Sequence, residues 1–139
     1  MGRYAVAQEE IGDTLEQVAP RAGKAPGHHE VGAGLIQPYV PERVAFLVRA
    51  HVDAKRYLCA AEPGYYGTLS KGSKHTLTLQ GGVMTPAEVE DAAKRLWWVD
   101  ALRLRRWDDQ AKVVGNRTRA LASWEPLLRK YFGAPRASV

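Results

Sequence analysis

Between positions 41 and 58 the apolar side chains recur at the spacing of one helical face, and a histidine and a lysine fall on that face with them. Val44, Leu47, Val48 and His51 stand at i, i+3, i+4 and i+7. Lys55 follows His51 by one turn and points the same way. A neutral imidazole on an apolar face needs a partner or a metal. An ammonium brought to the same side is costly unless an anion meets it. Pro41 and Glu42 suit the first turn of such a helix, through the fixed φ of proline and the positive end of the dipole.

The neighbouring segments read as further helices. One is expected over 6–18, before the breaker-rich loop 20–27. A second runs from His28 to about Gln37, with Val31, Leu35 and Ile36 on its apolar side, and Pro38 ends it. Residues 62–67 form a turn-rich loop and 70–76 a polar one. Residues 77–80 give the one hint of a strand, before the glycine pair Gly81-Gly82. Thr85-Pro86-Ala87-Glu88 has the form of a capping box and opens a helix or helix pair reaching about Lys112. Its apolar positions are Leu96, Trp97, Val99, Leu102, Leu104 and Trp107. A last helical segment spans 119–132 and stops at Gly133. The fold class is therefore all-α.

A chain of 139 residues fits one domain. Its apolar runs fall short of the roughly 18 residues a membrane span needs, and the N-terminus has no signal-like apolar region. With the lone Cys59, this predicts a cytoplasmic protein without a membrane partner. The formal charge of +5 invites nucleic acid, but the basic runs are short and the longest, Arg103-Leu104-Arg105-Arg106, leads straight into Asp108 and Asp109. A long basic stripe with exposed aromatics is absent, and recognition of a small anion such as phosphate or phosphonate explains these cations equally well.

Arg105 and Asp108 lie three apart and share a face with Ala101, Leu104 and Ala111. An inward aspartate there calls for a metal or an arginine. The plain alternative is an amphipathic helix with intrahelical ion pairs and Trp107 in the core. Of the remaining histidines, His29 is expected at the surface and His75 in a polar loop, either solvated or near the anion.

His28-His29-Glu30-Val31-Gly32-Ala33 resembles the helix start H-x-E-[IV]-G-A of HD-domain metalloproteins. The blocks His51-Val52-Asp53-Ala54-Lys55-Arg56-Tyr57-Leu58, Leu79-Gln80-Gly81-Gly82 and Arg105-Arg106-Trp107-Asp108-Asp109-Gln110-Ala111-Lys112 resemble a narrower group. They are similar to the HD-domain proteins of phosphonate degradation, a branch with mixed-valence diiron oxygenases related to myo-inositol oxygenase. The resemblance covers about 27–112 and implies an HD-domain-like helical bundle. It implies iron ligation by His28 and His51 at one metal and by Asp108 at the other. It assigns Lys55, Ser73, Gln80 and Arg105 to the phosphonate oxygens, and oxidative C–P cleavage to the whole. It leaves a homodimer open.

The His-Asp pair that names the family should stand about twenty residues before His28. This chain reads Glu9-Glu10-Ile11-Gly12-Asp13 there. Either Glu9, Glu10 and Asp13 serve as oxygen ligands, or the N-terminus is shortened or remodelled and turnover is lost, or the match is accidental. The expected division is a divergent helix and loop at 1–26, an HD-domain-like core at 27–132 and a tail at 133–139. A metal-dependent phosphohydrolase of the HD superfamily, and an inactive phosphonate- or phosphate-binding homologue, remain the alternative functions.

Overall fold

The computed structural model describes residues 27–133, and among them every regular element is helical. Helix α1 spans His28–Ile36, α2 Glu42–Ala61, α3 Tyr65–Thr68 and α4 Lys71–Leu79. Helices α5 (Pro86–Ala93) and α6 (Trp98–Gln110) follow. A 3-10 turn at Leu121–Trp124 leads into α7, Glu125–Tyr131. The all-α expectation holds. The expected helix at 6–18 lies outside the described residues.

Helix α2 is the axis of the molecule. Its 20 residues make it about 30 Å long, and α1, α3, α5 and α6 all pack on it. It starts where Pro41 and Glu42 place it. Its deepest face differs from the expected one. Ala45, Ala50, Val52, Ala54, Lys55 and Leu58 are buried, whereas Val44, Leu47, Val48 and His51 are half-buried. A helix covered on several sides sinks its smallest side chains deepest, because alanines let neighbouring backbones approach. Ala50, Ala54, Ala92 and Ala101 accordingly form one core cluster with Met84 and Trp98. Four ion pairs set the register of α2 against its neighbours: Arg43–Asp100 at 2.7 Å, Arg95–Asp53 at 2.6 Å, Arg56–Glu88 at 2.7 Å, and Arg106 with Glu62.

Three expectations are corrected. Residues 70–79 form a helix, not a polar loop and strand: the Ser70 side chain accepts from Ser73 N–H at 3.1 Å and starts α4. With one buried apolar residue, Leu77, the segment carries too little hydrophobic pattern to read as a helix. Its end is clear in retrospect, since Gly82 N–H reaches back to Leu77 O at 2.9 Å across glycines with φ of +99° and +73°. The loop 62–67 contains the start of α3. Leu96, Val99 and Trp107 are exposed, and Trp98 is the aromatic in the core.

The capping box is present: Thr85 accepts from Glu88 N–H at 3.3 Å and its own N–H donates to Glu88 at 2.8 Å. The expected helix pair is separate helices because Trp97 adopts φ +61°, a left-handed conformation that ends one turn and re-aims the next. That corner brings α6 alongside α2, with Arg43 near the start of α2 paired to Asp100 near the start of α6 and Glu62 just past the end of α2 paired to Arg106, and it sets Arg105 and Lys55 into one cavity. No helix among the described residues is long and apolar enough to cross a membrane.

Candidate metal and anion site

A cavity of about 430 Å³ opens between α1, α2, α4 and α6. His28, His51, Lys55, Ser73, Gln80, Arg105 and Asp108 all line it. Glu9 and Glu10 lie outside the described residues.

At one side stand two imidazoles. His51 Nδ1 donates to Val48 O at 2.8 Å, inside its own helix. That bond fixes the tautomer and leaves Nε2 with a free lone pair. Nε2 faces His28 Nε2 at 3.2 Å. Two nitrogens bound to one metal at about 2.1 Å, with angles between square and tetrahedral, stand roughly 3.0–3.4 Å apart. The pair fits a transition metal as two donors. Burial, together with the nearby His28, lowers the His51 pKa and favours the neutral ring a metal requires.

Asp108 is placed differently. Its carboxylate lines the cavity, yet it is half exposed and meets cations: Lys112 Nζ at 2.9 Å and Arg105 Nη1 at 3.1 Å. Burial works to raise its pKa, and Lys112 and Arg105 outweigh it, so the carboxylate is held below its usual range. No group of three His, Cys, Asp or Glu side chains that could hold a metal occurs among the described residues. The described residues thus offer an imidazole pair and stop short of a third donor.

At the other side lies Lys55, 3% exposed. Its ammonium donates to Gln80 Oε1 at 2.6 Å, Thr76 Oγ1 at 2.9 Å and Ser73 O at 3.4 Å. All three acceptors are neutral, and among the described residues no carboxylate pairs with it. Burial and the like charges of Arg105 and Lys112 lower its pKa. Beside it the first turn of α4 (Ser70, Gly72 and Ser73) turns its positive end toward the cavity. Arg105, also 3% exposed, forms the opposite wall.

Sequence reasoning does not single out Thr76, Lys112, Ser70 or Gly72. Thr76 stands three after Ser73 and four before Gln80, so reading Ser70 as an N-cap would have put it on the same helical face. His29 is half-buried rather than exposed, with its ring packed over Gly27 and its Nδ1 buried without a hydrogen-bond partner among the described residues. His75 is exposed, as expected.

No protein-family model matches the sequence. Comparison with curated proteins does find relatives. The chain is 42% identical over 88 residues to hydroxymethylphosphonate dioxygenase of Gimesia maris, covering 63% of this chain and 44% of that protein. The chain is thus similar in sequence to a protein named as a phosphonate dioxygenase. It is 35% identical over 111 residues to the glycine-betaine-forming [1-hydroxy-2-(trimethylamino)ethyl]phosphonate dioxygenase of Leisingera caerulea, covering 77% and 57%. An uncharacterised protein of Acanthamoeba polyphaga mimivirus is 31% identical over 98 residues, covering 70% and 45%. The chain spans about half the length of the curated relatives it matches.

Proposed function

We propose that residues 27–132 form an HD-domain-like unit that binds a small organophosphonate in this cavity and takes part in its oxidative breakdown. The observation that carries the reading is Lys55: a buried ammonium that, among the described residues, is hydrogen-bonded to neutral acceptors alone, at the wall of an open cavity. Burying a charge without a counter-charge is costly, and a ligand dianion removes that cost. Lys55 and Arg105 supply charge-assisted donors, while Ser73, Gln80 and the first turn of α4 orient the oxygens. The names of the two phosphonate dioxygenases among the relatives agree with this chemistry.

His28 and His51 would hold iron, with Asp108 at a second metal position and Glu9 and Glu10 as further oxygen donors. When bound, iron of this ligand type supplies the redox chemistry that dioxygen-dependent cleavage of a C–P bond needs. The protein's own part is to keep His51 neutral by burial and hold its ring through Val48 O, to turn the phosphonate by its oxygens, and to bring its carbon toward the imidazole pair.

A second reading, an anion-binding relative without turnover, is favoured by one observation: Asp108 is engaged by Lys112 and Arg105. Anaerobic iron loading followed by metal analysis, with calorimetric titration of hydroxymethylphosphonate, separates the two. Bound iron and saturable phosphonate binding support the oxygenase. Phosphonate binding with no retained iron supports the binder, and absence of phosphonate binding rejects both.

A further inference from the structure

The proposed function uses Arg105 for the anion and the first aspartate of the Asp108-Asp109 pair for a metal, and it leaves the second aspartate and a buried tyrosine without a task. We propose that Tyr65 and Asp109 are positioning residues that hold the Arg105 guanidinium in the orientation from which it meets an anion. The proposal rests on reading the cavity as an anion site.

Arginine is long and flexible, and its planar fork binds an oxyanion well only in a fixed plane. Here that plane is set from behind. Arg105 Nε donates to Asp109 Oδ2 at 3.1 Å, and Nη2 donates to Asp109 Oδ1, so one carboxylate takes one whole edge of the guanidinium. The Tyr65 hydroxyl closes the ring of contacts: it donates to Asp109 Oδ2 and accepts from Arg105 Nε at 3.3 Å. The remaining edge, carrying Nη1, faces the cavity beside Asp108 at 3.1 Å.

Neither Tyr65 nor Asp109 lines that cavity. Both line a neighbouring one of about 420 Å³, with Glu62 and Arg106, on the far side of the guanidinium. Tyr65 acts on an anion through Arg105, and Asp109 acts chiefly through Arg105, with a longer contact of 3.5 Å to Lys112 Nζ at the cavity wall. The tyrosine also ties the polar network to the core, since its ring is buried with Leu58 and Leu69. The spacing supports the division of labour: Asp109 is one full turn beyond Arg105 and reaches its back edge, whereas Asp108, one residue nearer, reaches the cavity edge.

The test uses the full chain. Arg105 Nε–H is identified by nitrogen-15 NMR through its loss in Arg105→Lys, and its exchange with solvent is compared in wild type, Asp109→Asn and Tyr65→Phe. Methylphosphonate binding is titrated in parallel, with Lys55→Met as a control. The expected result is Nε–H exchange about tenfold faster in Asp109→Asn and severalfold faster in Tyr65→Phe. Methylphosphonate binding should weaken in the same order. Tyr65→Phe keeps the buried ring, so a folding defect in Asp109→Asn does not remove the test. Exchange unchanged in both variants overturns the proposal. Lys55-dependent wild-type binding that neither variant weakens overturns the positioning role alone. No methylphosphonate binding by wild type overturns the anion reading, and the role in binding with it, even if exchange quickens.

Discussion

A buried lysine with three neutral acceptors is unfavourable for the fold and useful for a ligand. The folded pKa of Lys55 lies below its value in the unfolded chain, through burial first and then through Arg105 and Lys112. Between the two pKa values the unfolded chain holds more protons, so stability rises with pH across that window. Below the folded pKa the full cost of the charge is present. Lys55→Met should flatten this alkaline slope, as read by urea denaturation at stepped pH. The same variant should bind methylphosphonate ten- to a hundredfold more weakly in calorimetry, since a hydrogen bond to a charged group contributes about 1.5–3 kcal/mol. The grouping of His51 with Lys55, and of Arg105 with Asp108, was legible from one-turn spacings on helices that were themselves legible. The contacts of Lys55 with Thr76 and of Arg105 with Tyr65 were not, because each joins segments far apart in sequence.

Helices α4 and α5 have caps of the same kind with different consequences. Ser70 starts the helix that carries Ser73, Thr76 and Gln80 to the cavity. Ser70→Ala should cost about 1 kcal/mol in chemical denaturation and also weaken methylphosphonate binding, because the first turn frays beside the ligand. Thr85→Ala should cost a similar amount, about 1 kcal/mol, and leave binding alone, since α5 lines none of the cavity. Glu88, in the same box, has its pKa lowered to about 2 by the Thr85 backbone N–H first and by Arg56 next. Its contribution is present above the ordinary carboxylate pKa and lost as pH falls toward 2. Glu88→Gln should therefore remove part of the acid-side loss of stability seen in a pH series. The Thr85 box was readable because proline and glutamate stand in fixed places after the cap. The Ser70 cap was hidden by a helix whose residues are nearly all polar, so the period had nothing to register on.

For the molecule as a whole, the cavity exists because α2 and α6 approach closely over alanines. Ala54 and Ala101 are fully buried at that contact. Ala54→Leu should cost roughly 1–3 kcal/mol by overpacking. It should also abolish anion binding while the total helix content is kept, measurable by circular dichroism alongside titration. No apolar period shows how near two helices will lie; the sizes of facing residues decide it, and those pairings appear only in three dimensions. The ammonium of Lys55, hydrogen-bonded to neutral acceptors, has one more effect, and it is on rates. With a chain bearing a formal charge of +5, a dianion is drawn inward before it touches any group. Stopped-flow association should therefore slow steeply as ionic strength rises, while dissociation, governed by short contacts in a recessed place, changes little.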